Sequence, residues 1–397
     1  MLRVALKMLV GDRVKYAGLL FGVAFTSFLV TFASSYFAGF LTRGFALVAE
    51  NPQAEVWVMD PAVRSVEPAT NLPYSALDRV RSVEGVASAT PLAVSMAHVR
   101  FPNGRFQTFQ VIGVDDASLA GLPPLEDGAS SLALRSPDGV AVAPGGTVGK
   151  LQTPLYRADQ WSGGPPRLDV PTRTLAAGDE LLVDDRRVIV IGRALGLPRY
   201  PPRPLLYATY SDALRILPPE LRRLTFVLAT AAPGVAPREL AARIEARTGL
   251  RARTSDEFEA DTVRWLLVNS EDVGDIQTML SIAALVGFGM TGVLLYMFTH
   301  ENLRQYAVLK AMGATPRVLL SMIFVQAGVC ALVGTGLGLG ACAIVGRLAS
   351  GSDYPFRMMW FAPLTGVLTV ALVSVVAAII SARPALKLDP GIVFSGR

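Results

Sequence analysis

Apolar and polar positions fall into two regimes along this 397-residue chain. Four stretches, Tyr16–Thr42, Ile276–Thr299, Val318–Gly346 and Met358–Ala382, contain no Asp, Glu, Lys or Arg. The shortest is 24 residues long. A helix rising about 1.5 Å per residue crosses a ~30 Å hydrocarbon core in about 20 residues. One charge at the centre of such a helix costs roughly 2.5–3.5 kcal/mol, so the pattern predicts membrane spans at 17–42, 276–299, 318–346 and 358–382.

Residues 43–275 read differently, alternating short strand and helix signals. Ala54–Met59 and Phe226–Thr230 are strand candidates, and Arg251–Arg253 is a shorter one. A helix is expected from Pro73, with Leu77, Val80 and Val83 on one face and Gly85 ending it; another runs from Pro237 to Gly249. Val94–Val114 forms a hairpin around Pro102-Asn103-Gly104, and Leu181–Val183 pairs with Val188–Ile191 around Asp184-Asp185. Thr254 and Glu257 have capping-box spacing, opening a helix that runs toward the second span. Gly121–Gly178, rich in Pro, Gly, Ser and Asp, is expected to be loops or an inserted subdomain. Pro198–Pro204 is extended, because proline continues neither a helix nor a central strand, and reads as a stiff connector. The expected fold is an α-helical membrane protein with four transmembrane helices (1+3) and a large α+β extracytoplasmic domain, in two lobes, inserted between the first and second spans.

Charge sets the orientation. Arg3, Lys7, Arg13, Lys15, Arg304, Lys310, Arg317, Arg383, Lys387 and Arg397 flank one side, against Arg347 and Arg357 on the other. The positive-inside rule then makes segments 1–16, 300–317 and 383–397 cytoplasmic, with both termini inside, and places 43–275 and the short loop 347–357 outside. The net charge of +5 is a topology signal: residues 43–275 hold 25 Lys and Arg against 28 Asp and Glu, so the excess lies at the membrane flanks, where anionic lipids favour it. Nucleic acid is excluded as a partner on the same count. Leu2–Val10, with Arg3 and Lys7 four apart, suits an amphipathic interfacial helix. The first span, longer than a signal-peptide apolar region, reads as an uncleaved anchor. Cys330 and Cys342 both lie in the third span, so the inserted domain has no disulfide and depends on its own core.

Catalytic signatures are nearly absent. His98 and His300 are the two histidines, and neither has metal-ligand spacing. Pro144–Leu151 departs from a phosphate loop at both ends of the pattern. Gly334, Gly336, Gly338 and Gly340 lie in a span, where small residues let helix backbones approach, within the chain or between protomers. No catalytic, cofactor or metal residue is assigned. More informative is His300–Arg317: Glu301 to Met312 has helical spacing, with Leu303, Tyr306, Ala307 and Lys310 near one another, and Gly313 terminates it. Such a helix fits a groove on a cytoplasmic partner or lies on the membrane.

The run Glu301-Asn302-Leu303-Arg304-Gln305-Tyr306-Ala307-Val308-Leu309-Lys310-Ala311-Met312-Gly313-Ala314 resembles the coupling segment of MacB/FtsX-type ABC transporter permeases. The Gly-rich third span and Ala382–Pro390 are also similar to that family, as is the one-plus-three arrangement of spans. Val111–Asp115 and Trp265–Gly274 look like the DevC-like branch, which lacks a fused ATPase. The resemblance implies a non-catalytic permease subunit in the bacterial inner membrane, its large domain periplasmic. It further implies a homodimer served by two cytoplasmic ABC ATPase subunits that hold ATP and Mg, with membrane lipids around it. Glu301, Arg304, Tyr306, Leu309, Lys310, Met312 and Gly313 would then face the ATPase. A periplasmic membrane-fusion adaptor and a TolC-like outer-membrane channel are the implied further partners, and mechanotransmission driving export of a lipophilic or glycolipid-like substrate is the implied output. The alternatives are an FtsX-like regulator of an envelope hydrolase, a lipoprotein-release permease and a membrane-anchored enzyme. Gln326 stands near a point where relatives often carry Glu, and a structural polar contact is expected there.

Overall fold

The computed structural model describes residues 2–67, 69–128, 130–147, 149–161, 165–219, 224–349 and 354–387. In chain order, α1 (Leu2–Gly11), α2 (Arg13–Gly44) and α3 (Ala46–Ala49) lead to β1 (Val56–Met59), α4 (Ala76–Arg81), β2 (Val86–Arg100) and β3 (Phe106–Val114). There follow β4 (Gly139–Ala143), β5 (Gln152–Pro154), β6 (Thr172–Thr174), β7 (Glu180–Val183), β8 (Arg186–Arg193), β9 (Leu205–Thr209) and α5 (Tyr210–Ile216). The chain continues through β10 (Phe226–Ala231), α6 (Pro237–Thr248), β11 (Arg251–Thr254) and α7 (Ser255–Asn269). It finishes with α8 (Glu271–Glu301), α9 (Leu303–Ala311), α10 (Pro316–Ala349) and α11 (Phe361–Lys387). These elements form two units, Leu41–Ser270 and Met1–Phe40 with Glu271–Arg397. Tail positions 388–397, including Asp389, Pro390 and Arg397, and positions 350–353 of the short loop lie outside the described residues.

In the 41–270 unit, nine strands run in the order β11-β1-β10-β2-β3-β9-β4-β8-β7. The first four are antiparallel, with α4 between β1 and β2 and α6 between β10 and β11, which is the split β-α-β topology of ferredoxin-like sheets. Alternation along β1 buries both faces: Val56 and Val58 pack with Val80, Leu240 and Ile244, whereas Trp57 and Met59 pack with Phe226 and Phe258. Val99 and Arg100 of β2 also pair with Val183 and Leu182 of β7. The ladders β2-β3-β9-β4-β8-β7 therefore close on β2 as a six-stranded ring, which leaves no free edge on those strands. Val99, Val111, Val140, Val142, Val188 and Leu206 fill it. β2 belongs to both halves. Up to Leu92 it pairs with β10, and from Ala93 onward with β3. Pro91, with no N–H to give, falls at that changeover.

Several sequence-based expectations needed adjustment. Gly121–Gly178 contains β4, fully buried between β9 and β8, besides the small β5–β6 sheet. Its ladders join residues 50–66 positions apart, which local composition does not reveal. The helix expected from Pro73 starts at Ala76, after a turn in which Ala76 N–H donates to the Pro73 carbonyl. The helix opened by the Thr254–Glu257 capping box stops at Ser270, whose ψ of 124° breaks it before α8. Asp184 and Asp185, at φ 44° and 66°, make the tight turn joining β7 to β8; short polar side chains tolerate this region better than most.

In the other unit, α2, α8, α10 and α11 are each long and apolar enough to cross a membrane. Leu19, Val23, Phe298, Ile323, Cys330 and Ala378 share their core. Leu285, Leu332 and Leu372 point outward at 70, 77 and 66% exposure, a placement that suits hydrocarbon and not water. Buried hydroxyls join the helices: Thr26 Oγ lies 3.1 Å from Thr291 Oγ and donates to the Gly287 carbonyl, and Thr365 donates to Ser34 Oγ at 2.8 Å. α11 begins at Phe361 and not at 358; the segment before it is tied to α2, Arg357 N–H donating to the Ser35 carbonyl while Pro355 packs on Gly39.

Candidate functional site

α8 ends at Glu301, and α9 is a separate nine-residue helix before α10. Gly313, at φ 95°, supplies the left-handed residue that ends it, as the sequence predicted. Gly313 N–H donates to Lys310 O, and Ala314 N–H donates to Leu309 O.

The helix has two faces. Tyr306 and Ala307 are fully buried, with Leu303 and Leu309 packed against the bundle core. Tyr306 OH donates to Gln326 Oε1 of α10 at 2.8 Å, and Gln326 Nε2 donates to the Ala5 carbonyl of α1 at 3.0 Å. Three helices are thus tied through two buried hydrogen bonds, each costly to leave half-made. Burial pushes the Tyr306 hydroxyl up to about 12 despite its bond to Gln326, so it remains a donor at neutral pH. Gln326 makes the structural polar contact expected of it. On the opposite face stand Glu301, Arg304, Gln305, Val308 and Met312, all exposed and spaced three or four apart. Met312 is 75% exposed.

The predicted residues therefore separate. Arg304 and Met312 are available to a partner; Glu301 is also exposed but pairs with Lys15 at 2.8 Å, which in turn pairs with Asp12 at 3.0 Å. Lys310 and Leu309 are half-buried, and Tyr306 is an internal anchor and not a contact residue. Gln305 and Val308 complete the exposed face; helical spacing from Glu301 and Met312 was the signal for them. Of the four span glycines, Gly334 and Gly338 lie against α2 at Val23, Ala24, Ser27 and Phe28, whereas a Cβ at Gly336 or Gly340 would meet nothing within 4 Å.

Elsewhere, the Pro-rich run is a connector with Pro198, Pro201 and Pro202 exposed and Arg199 and Pro204 buried. Arg199 pairs with Glu50, their side chains 4 and 3% exposed, and Tyr207 OH donates to the same carboxylate at 3.0 Å. Arg203 pairs with Glu67 at 2.7 Å. The Pro144–Thr147 run turns back on itself, with Thr147 Oγ donating to the Pro144 carbonyl at 2.6 Å, and forms no strand–loop–helix cradle. His98 sits on β2 opposite Thr108, and His300 near Tyr296. Among the described residues no group of three His, Cys, Asp or Glu could hold a metal ion.

Comparison with known proteins bears on this region. Residues 278–390 match the family model described as FtsX-like permease C-terminal. A 120-residue stretch is 32% identical to the ABC transporter permease YknZ of Bacillus subtilis (strain 168), covering 29% of this chain and 29% of that protein. The chain thus spans under a third of the length of the curated relative it matches. Among solved structures, the periplasmic region of MacB from Actinobacillus actinomycetemcomitans is similar at 16% identity and a TM-score of 0.34, covering 55% of this chain and 94% of that one. The extracellular domain of the ABC-type transporter YknZ from Gram-positive bacteria is similar at 14% identity and a TM-score of 0.31, covering 51 and 98%.

Proposed function

We propose that this chain, which carries an FtsX-like permease C-terminal domain at residues 278–390, is the membrane-spanning subunit of an ABC transporter powered by separate cytoplasmic ATPase subunits. ATP and Mg are held by those subunits, and two copies of the chain make the complex. The supporting observation is α9. Its inner face is fixed to the bundle by Tyr306 and Gln326, so a push on its exposed face at Arg304, Gln305, Val308 and Met312 is delivered to α8 and α10 without slack. The ten basic flanking residues support placing α9 and both termini in the cytoplasm and the 41–270 unit outside, in a bacterial inner membrane. The output proposed is transmission of ATP-driven motion to that unit, for adaptor-dependent export of a lipophilic or glycolipid-like substrate through a TolC-like channel. An effector drives such a cycle only through different affinities for its two conformations.

The test uses the exposed face. Val308→Asp with Met312→Asp places charge in an apolar contact, where a loss of at least 2 kcal/mol, about 30-fold in affinity, is expected for a central residue. Capture of the ATPase by full-length chain in detergent should fall by that factor while membrane insertion and the melting temperature hold. Unchanged capture would remove α9 as the contact. Leu309 is unsuitable for this purpose, since it packs in the core and its replacement would unsettle the bundle.

A further inference from the structure

An apolar groove of about 580 Å³ runs between α2 and α10, lined by Ala17, Phe21, Phe25 and Phe28 on one side and by Leu337 and Ala341 on the other. Its floor is the close approach of Gly338 to Ala24 and Phe28. Ala17 to Phe28 covers about 17 Å of helix axis, close to the depth of one hydrocarbon leaflet. Phe21, 62% exposed, stacks on Phe25 and leaves the groove open to its surroundings, which at this depth are acyl chains.

The lining itself is uncharged, and the helix turn beyond its Ala17 end carries the nearest cation on the same stripe. Continuing the α2 stripe one turn back from Ala17 reaches Arg13, which is exposed and has no ion pair among the described residues. Lys15, two residues on, is instead held by Asp12 and Glu301. Val10 and Val14, 52 and 82% exposed beside Arg13, mark the level where apolar side chains and cations meet an interface. An apolar slot one leaflet deep, with a guanidinium at its mouth, has the chemistry of a phospholipid: acyl chain along the phenylalanines, phosphate on Arg13.

We propose that the α2–α10 groove is a binding site for an anionic phospholipid from the leaflet at the α1 end. Charge complementarity selects this occupant: a phosphate at the interface supplies the anion that exposed Arg13 lacks among the described residues.

The experiment is native mass spectrometry of the full chain released from nanodiscs of equal phosphatidylglycerol and phosphatidylcholine. Wild type should retain phosphatidylglycerol over phosphatidylcholine by about fivefold, the preference one cation near an anionic surface supplies. Arg13→Gln should retain lipid without that preference. Ala341→Phe, which fills the slot, should lose the retained lipid, while Ala371→Phe, on the separate α10–α11 groove, should keep it. Equal retention of the two lipids by wild type overturns the proposal, as does full retention by Ala341→Phe. Loss of a dimer in Ala341→Phe with lipid retention unchanged assigns the groove to a second copy and equally overturns it. ATPase capture by the same variants keeps failure of the groove apart from failure of the α9 contact.

Discussion

Gly338→Ala offers the sharpest test of how α2 and α10 meet. A Cβ at Gly338 would stand 2.6 Å from Ser27 Cβ and 2.9 Å from Phe28 N, and closer still to the Ala24 carbonyl oxygen. Two of these three atoms are backbone, so no rotamer change relieves the clash. Reaching ordinary contact requires the helices to part by roughly 1 Å in a close-packed seam. Overpacking of this kind costs about 1–3 kcal/mol. Alanine regains roughly 0.8–1.0 kcal/mol over glycine within a helix, which offsets only part of that cost. Gly340→Ala is the control two residues along: its Cβ would meet nothing within 4 Å, so only the gain remains. The two variants should differ by about 1–3 kcal/mol, up to roughly a hundredfold in the unfolding equilibrium. Unfolding of each variant in mixed detergent, followed by circular dichroism, reads that difference. Equal stabilities for the pair would refute the packing described for this seam.

Three further outcomes follow from buried polar groups. Tyr306→Phe strands Gln326 Oε1 and should cost about 1–3 kcal/mol, whereas Gln326→Leu removes both of its buried bonds and should cost at least as much; thermal unfolding of the two variants decides. Glu50→Gln leaves Arg199 as an uncompensated buried charge, and a loss of about 3–5 kcal/mol should appear in unfolding, with faster proteolysis of the 41–270 unit. The Tyr207 hydroxyl is held well above its ordinary value by burial first and by the Glu50 charge second. A raised acid keeps its contribution below its unfolded value of about 10 and loses it as pH climbs further, so stability should fall above about pH 10. Tyr207→Phe should flatten that limb of the pH–stability curve.

Much of this fold was legible in the residues because the signals were local. Charge-free runs marked the four long helices, Pro237 and Gly249 bracketed α6, Thr254 and Glu257 made their capping box, and Asp184-Asp185 and Gly104 marked turns. What escaped depends on distant partners. β4 is a five-residue apolar run whose strand character comes from β8 and β9, and β9 sits beside a proline-rich segment whose composition masks it. Periodicity grouped Tyr306 with Leu303 and Ala307 on one side of α9, yet it cannot say which side turns inward; the bond to Gln326 decides that. Equal small size at Gly336 and Gly338 likewise hid their opposite surroundings, since only the position of α2 separates them.

β2 carries a consequence for how force moves through the 41–270 unit. At about 3.3 Å per residue, its 15 residues form an unbroken strut of roughly 50 Å common to the four-stranded sheet and the closed ring. A torque applied to the sheet reaches the ring through this shared strand, on which the β10 ladder ends at Leu92 and the β3 ladder begins at Ala93. Such a part serves as a lever arm and resists acting as a clamp.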